Sequence, residues 1–331
     1  GFHTSALFGF SNHLLKIIKE ERPDYLVCAF DSKEKTFRHK MYSDYKANRP
    51  EMPDELQKQL PHLWELLNAM NIPVLKKPGY EADDIIGTIT ESVSKEEIES
   101  YIVSGDKDFM QLINDKIFLY TPGKRNASPM IYDAGGVLDK WDLPPDKIID
   151  LLALMGDSSD NVPGVAGVGV KTAVKLLQKY GGLDIIFENV EKITNKRVNN
   201  GLTNCKDDAY LSKELVTIIK DVELEYKLDD FIIKSFDNDV LRKKYEELEF
   251  YALLKQLVDT NDSLQNDKID KKYITVKSLK SLKQLIKNLE QCNILSIDLE
   301  TTSVDPMTAE IVGISLSIKR DTGFYIPVLY P

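Results

Sequence analysis

Acidic residues collect where the apolar runs of this chain end. Asp31 closes the run Tyr25-Leu26-Val27-Cys28-Ala29-Phe30. Glu81, Asp83 and Asp84 open a helical pattern, Asp106 and Asp108 follow Tyr101-Ile102-Val103-Ser104, and Asp157 and Asp160 follow a helical run over 148–155. In an open α/β sheet, ligands bind beyond the carboxyl ends of the strands. Eight acids brought to one crevice repel one another and resist desolvation. A hard divalent cation relieves both effects, and Mg²⁺ takes few carboxylates and keeps several waters. Two such ions about 4 Å apart activate a water and stabilise a leaving oxygen in phosphodiester cleavage. Each acid alone has an ordinary explanation, as a helix cap or a turn residue. Four groups at four element ends are harder to explain that way.

The elements that must position these acids alternate. Residues 1–20 have helical spacing through Phe8, Phe10, Leu14, Leu15, Ile17 and Ile18, followed by the 25–30 strand. A helix is predicted over 54–70, a short strand over 72–75, a helix from Ala82, and strands over 101–104 and 116–120. This alternation predicts an α/β unit with a parallel sheet over 1–145. An all-helical unit is expected over 146–258, then a polar linker over 259–272. A third unit, 273–331, has strands near 273–276, 294–299, 311–318 and 324–328 and a helix over 279–289.

Composition sets the outer limits. Of 331 residues, 42% are hydrophobic and 29% charged, which fits globular units with real cores and excludes a disordered or collagenous chain. The net charge of −10 argues against nucleic-acid binding unless positive charge is concentrated locally. No apolar run reaches membrane-spanning length, so no membrane partner is expected. The start lacks the features of a signal peptide. Cys28, Cys205 and Cys292 form neither a disulfide framework nor a metal spacing, which fits a reducing cytoplasm.

Positive charge is indeed concentrated. Between Lys33 and Arg49, six basic residues (Lys33, Lys35, Arg38, Lys40, Lys46, Arg49) face only two acids, with Phe37, Tyr42 and Tyr45 interleaved. Charge for phosphate and rings for bases are what a single strand requires. The stretch from Pro163 to Ala173 is a glycine-rich turn, with Gly164, Gly167 and Gly169, running through Lys171 and Thr172 into a helix. A helix start offers N–H groups and a positive dipole end to phosphate. The spacing is not that of a Walker loop.

The strings Gly79-Tyr80-Glu81-Ala82-Asp83-Asp84, Ser104-Gly105-Asp106-Lys107-Asp108 and the segment Leu154 to Gly164, with Phe30-Asp31 and Lys35-Thr36-Phe37-Arg38, closely resemble the 5′-nuclease domain of the bacterial DNA polymerase I family over about residues 1–258. The resemblance implies a PIN-like 5′-nuclease sheet with a helical arch, a helix–three-turn–helix subdomain, and 5′-3′ exonuclease and flap endonuclease activity. It implies two Mg²⁺ ions, with Mn²⁺ as a substitute. Glu81, Asp83, Asp106 and Asp108 would lean to the first ion and Asp108, Asp157 and Asp160 to the second, with Asp31 and Asp84 completing the pocket. Lys46 and Arg49 would steer the scissile phosphate with help from Arg38. The glycine turn would hold duplex DNA, with K⁺ on its carbonyls.

Asp298 and Glu300 stand at i and i+2 of a strand and point to one face. They resemble the first metal motif of a ribonuclease-H-like 3′-5′ exonuclease. The whole reading is an amino-terminal piece of a DNA polymerase I, a monomer acting in the bacterial nucleoid on 5′ flaps, nicks and RNA-primer junctions in replication and repair. In the family a further strand bearing an Asp precedes the residue matched by Gly1, so an open edge beside 25–30, marginal stability and weak cleavage are expected of the 331 residues alone. The alternatives are a stand-alone flap endonuclease, disfavoured by the Asp298/Glu300 unit, and a flap-DNA binding module without catalysis.

Overall fold

Apolar residues at helical spacing build α1 (Ser5–Glu21), whose Leu7, Leu14, Leu15 and Ile18 are buried. The computed structural model describes residues 2–123, 128–264, 272–292, 294–303, 308–319 and 322–328. The chain divides into two compact units, Gly1–Leu257 and Val258–Pro331.

In the first unit α1 is followed by β1 (Cys28–Ala29), α2 (Phe37–Met41), α3 (Asp54–Gln57), α4 (Leu60–Ala69), β2 (Val74–Leu75), α5 (Ala82–Ser94), β3 (Ser100–Val103), β4 (Ile117–Thr121), β5 (Met130–Tyr132) and α6 (Ala134–Trp141). The helical part contains α7 (Ile148–Met155), α8 (Val170–Tyr180), α9 (Leu183–Glu188), α10 (Lys196–Asn204), α11 (Lys206–Val216), α12 (Asn238–Glu247) and α13 (Tyr251–Leu264). One hydrophobic core runs from Ile102, Phe109 and Leu119 of the sheet side through Leu151 and Leu154 of α7 to Leu176, Leu202 and Leu215. The acid-bearing half and the helical half are therefore packed as one body.

The expected parallel sheet is present in two hydrogen-bonded parts. Strands β1 and β2 pair in parallel, Cys28 opposite Val74. Strands β3 and β4 pair in parallel, and β5, which periodicity did not predict, adds antiparallel to β4. The 25–30 segment donates from Leu26 to Phe231 O, from Cys28 to Pro73 O and from Phe30 to Leu75 O. Tyr101 and Val103 on β3 remain about half exposed.

Two expectations change. The 54–70 helix is split into α3 and α4, with Pro61 in the first turn of α4, where its missing N–H costs nothing. The basic segment 33–49 contains the short helix α2 followed by turns. Helix α13 continues to Leu264, through the first residues of the stretch read as a linker. Residues 265–271 of that stretch lie outside the described residues.

The second unit is a four-stranded sheet in the order β6-β9-β8-β7, made of β6 (Lys272–Thr275), β7 (Ser296–Thr301), β8 (Ile311–Ser317) and β9 (Thr322–Pro327). The amphipathic helix α14 (Leu279–Leu289) covers one face, burying Leu285 with Val276 and Leu316.

Candidate active site

Helix α5 presents its acids because two hydrogen bonds hold its first turn. Asp31 Oδ1 accepts from Ala82 N at 2.8 Å, so the acid closing the first strand caps the helix that carries the next ones. The Glu81 N–H donates to Asp84 Oδ2 at 3.1 Å, which fixes the turn that carries Glu81 and Asp83. Asp106 caps the short 3-10 helix over 107–112 by accepting from Asp108 N at 3.0 Å.

These elements enclose a pocket of about 130 Å³ lined by Asp31, Glu81, Asp83, Asp106, Asp108 and Asp160 together with Lys46 and Arg49, and floored by Arg38 and residues 215, 216 and 218. Asp84 and Asp157 do not line it. Asp84 is 0% exposed and is taken up by Arg38 in a bidentate pair at 2.7 and 2.8 Å. This departs from the sequence expectation, which put Asp84 among the ligands and Arg38 on DNA. Asp157 pairs with Lys107 at 2.8 Å and accepts from Ser159 N.

Lys46 lies at φ +57°, a left-handed conformation that a side-chain-bearing residue adopts only when its surroundings impose it. The imposing contacts come from the loop after α7. Lys46 N donates to Asp160 O at 2.9 Å, Asn48 Nδ2 to Ser158 O at 2.6 Å and Asn161 Nδ2 to Asp44 O at 2.8 Å. Lys46 Nζ then reaches Glu81 Oε1 at 2.7 Å and Asp160 Oδ2 at 3.7 Å, while Tyr45 O–H donates to Glu81 Oε2 at 3.2 Å. Arg49 pairs with Asp160 from the solvent side. The loop itself closes on Gly156 and Gly164, both at positive φ, whose backbones approach so closely that a Cβ on Gly164 would stand 2.4 Å from Gly156 N.

The electrostatics call for a cation. Burial first, and then Asp106, pushes both the Asp83 and the Asp108 carboxyls up to about 7. Asp108 Oδ1 is buried and lacks a hydrogen-bond partner. Asp157 is opposite: burial opposes its ionisation, but bonds from Lys107 and Ser159 hold it down to about 2. Among the described residues no three acid, histidine or cysteine side chains already converge on one ion-sized point. Lys46, Arg49 and Lys107 hold the carboxylates instead. An orphaned carboxylate oxygen and two carboxyls driven toward neutrality still make an oxygen donor set of the kind hard divalent ions take.

A pH dependence follows. The ordinary value of 3.8 for both carboxyls rises to about 7 in the fold. The folded chain thus retains protons between about pH 4 and 7 that the unfolded chain has lost. Their stabilising contribution is complete below about pH 4 and is lost as pH rises through about 7. In EDTA, the melting temperature is expected to fall from pH 5 to pH 8 more steeply in the parent chain than in Asp83→Asn/Asp108→Asn. Parallel profiles would contradict the assigned environments.

The glycine turn lies at the start of α8. Gly167 and Gly169 are exposed, as are Lys171 and, on α10, Arg197, which sequence reasoning missed; its side chain packs 3.1 Å from a Cβ position on Gly167. Gly164 is buried and spends its N–H on Ser212 Oγ at 2.9 Å. In the second unit, Asp298 and Glu300 pair with Ser315 and Gly313, while Ile297 and Leu299 pair with Leu316 and Ile314. The two acids therefore share the face away from α14.

Comparison with known proteins agrees with this layout. Residues 1–142 match the family described as 5′-3′ exonuclease, N-terminal resolvase-like domain, residues 143–239 the 5′-3′ exonuclease, C-terminal SAM fold, and residues 273–330 the 3′-5′ exonuclease family. The 5′-3′ exonuclease of Aquifex aeolicus is 41% identical over 257 residues, covering 78% of this chain and 86% of that protein. The chain belongs to the 5′-3′ exonuclease family. Within that family it matches DNA polymerase I of Bacillus subtilis, 39% identical over 257 residues, 78% of this chain and 29% of the relative. DNA polymerase I of Pseudomonas aeruginosa is 34% identical over 346 residues, 100% of this chain and 37% of the relative. The chain thus spans about a third of the length of the DNA polymerase I relatives it matches. In three dimensions it is similar to the T5 5′-exonuclease solved with zinc (TM-score 0.55, 17% identity, 79% of this chain and 90% of that one). It is also similar to the Rad2 catalytic core solved with DNA substrate (TM-score 0.54, 17% identity, 77% and 83%). The 5′-nuclease fold is thus shared well beyond its close relatives. Among the described residues no helix is long and apolar enough to cross a membrane.

Proposed function

We propose that this 5′-3′ exonuclease module is a structure-specific nuclease that hydrolyses a phosphodiester near a 5′ end, at flaps, nicks and RNA-primer junctions, using two divalent ions, Mg²⁺ by preference and Mn²⁺ as a substitute. The observation that carries this reading is the acid pocket with its orphaned Asp108 oxygen, ringed by Lys46 and Arg49. Asp83, Asp106 and Asp108, with Asp31, Glu81 and Asp160 around them, would hold the ions. When bound, divalent ions polarise the phosphate, lower the pKa of a water and stabilise the leaving 3′ oxygen.

The side chains do the rest. Tyr45 and Lys46 orient Glu81 from two directions. Lys46 and Arg49 supply the positive charge that draws a phosphate into an otherwise acidic pocket, where preset charge acts with little reorganisation. The exposed turn at Gly167 and Gly169, with Lys171 and Thr172 at the start of α8, would hold the duplex next to the cut, with K⁺ as a candidate ion on its carbonyls. As part of a DNA polymerase I, the module would act as a monomer in the bacterial nucleoid, in primer removal and repair. Asp298 and Glu300 would belong to a separate 3′-5′ exonuclease metal site.

The reading is tested with a labelled 5′-flap duplex. Release of the flap in Mg²⁺, and tight binding without cleavage in Ca²⁺, are expected. Binding in Ca²⁺ with no cleavage in Mg²⁺ or Mn²⁺ would favour a binding module instead. Lys171→Ala should weaken duplex binding and flatten its log–log salt dependence by about one, the signature of one lost phosphate contact. An unchanged slope would reduce the turn to a helix connection.

A further inference from the structure

The floor of the pocket, to which Arg38, Leu215, Val216 and Ile218 contribute, rests on a polar joint that the proposed chemistry does not use. Arg38 and Asp84 have side chains 2% and 0% exposed. Besides its bidentate grip on Asp84, Arg38 donates from Nε to Leu215 O at 2.8 Å and from Nη2 to Thr217 O at 2.7 Å. Asp84 accepts in return from Ile219 N at 2.9 Å and Glu81 N at 3.1 Å. One ion pair therefore ties together α2, the acid-bearing start of α5 and the segment 215–219 that leaves α11.

The same segment is clamped from the 3-10 helix over 107–112: Gln111 Nε2 donates to Val216 O at 3.0 Å and Gln111 Oε1 accepts from Ile218 N at 3.0 Å. Helix α5 can approach it because residue 87 is glycine; a Cβ there would stand 2.6 Å from Ile218 Cγ2. One turn earlier on α11, the fully buried Ser212 accepts from Gly164 N at the base of the glycine turn. A continuous bonded path thus runs from that turn through Ser212 and 215–219 to Arg38, Asp84 and Glu81.

Burying an ion pair is a poor way to gain stability, since an apolar pair of similar volume does as well. What a bidentate, fully bonded pair provides is geometry. We propose that the Arg38–Asp84 pair is a positioning joint that fixes the distance between the duplex-holding turn and the acid pocket, and so sets the nucleotide at which the strand is cut. The proposal rests on the 5′-nuclease reading above. On this proposal Arg38, although it borders the pocket, and Asp84 act through Glu81 and Asp83 and through α11 rather than on phosphate or cation.

The experiment is single-nucleotide mapping of products from a fixed 5′-flap substrate, for the parent chain, Arg38→Lys and Asp84→Asn. The parent is expected to give one principal product. Both variants are expected to give products spread over two or more adjacent positions, with turnover lowered about 10-fold or more. Flap affinity in Ca²⁺ should stay within about 3-fold, the salt slope should be unchanged, and Ca²⁺ stoichiometry by calorimetry should be unchanged. If the single variants fail to fold, Arg38→Met/Asp84→Leu removes the pair without leaving a lone buried charge. Its melting temperature should then recover while the product spread persists. Parent-like product positions in any folded variant would overturn the joint. So would loss of a Ca²⁺ ion in Asp84→Asn, which would make Asp84 a ligand, or a salt slope reduced by about one in Arg38→Lys, which would make Arg38 a phosphate contact. A parent that binds flaps without cutting them would instead defeat the nuclease reading, and the joint with it.

Discussion

Asp108→Asn is expected to lower Mg²⁺-dependent flap cleavage at least about 10³-fold, a loss of roughly 4 kcal/mol of transition-state stabilisation, while flap affinity in Ca²⁺ changes by no more than a few-fold. The amide keeps the shape of the side chain and removes its charge. The same change should raise the melting temperature in EDTA, because the buried carboxyl is held up to about 7 by desolvation and by Asp106 and has an oxygen with no partner. Opposite signs for activity and apo stability mark a group kept for function at a cost in stability. Parent-level cleavage by Asp108→Asn would remove this residue from the site. Lost cleavage with lowered apo stability would make it a structural acid.

The second large effect is expected at Lys46. Lys46→Ala should slow cleavage at saturating DNA by about 10²-fold, the scale of losing one preset electrostatic group, with duplex affinity within about 3-fold. Lys46 Nζ is shared between Glu81 at 2.7 Å and Asp160 at 3.7 Å, and its side chain is only 18% exposed. It therefore acts inside the pocket, whereas a duplex-binding lysine acts on the open surface. Arg49→Ala should have the smaller effect, because Arg49 is 51% exposed and its Asp160 contact is open to solvent. The measurements are single-turnover cleavage and Ca²⁺-state binding on the same substrate. Equal losses in rate and affinity would make Lys46 an ordinary phosphate contact.

Much of the site is legible in the chain order. Apolar runs ending in acids place Asp31, Asp106 and Asp108 just beyond the strands, because a strand in a parallel sheet is mostly apolar and carries its charge where it emerges. Six of the eight acids singled out on that basis line one pocket. The i, i+2 spacing of Asp298 and Glu300 assigns them to one face, because a strand alternates its side chains, and the observed pairing agrees. The 279–289 helix is found where its periodicity puts it.

What local pattern misses is the partner of each polar group. Arg38 reads as part of a basic, DNA-facing run, yet it is buried against an acid 46 residues away. Lys107 stands between two acids in sequence and pairs with neither, reaching instead 50 residues on to Asp157. Arg197 carries no signal until α10 lays it against Gly167. Strand β5 and the extension of α13 to Leu264 were missed because each has a weak or polar pattern, and for β5 pairing with β4 overrides it.

By itself, then, the sequence determined the succession of strands and helices, the acids at their ends and the excess of positive charge before residue 50. These depend on period, burial of apolar side chains and residue type, all of which are local. Only the tertiary structure decided which acids face a shared pocket and which are neutralised inside the protein. That choice depends on desolvation and on hydrogen bonds between segments far apart in the chain. Asp83 and Asp84, adjacent in sequence, show the difference: Asp83 lines the acid pocket, whereas Asp84 is buried behind it in its pair with Arg38, which also bonds the end of α11.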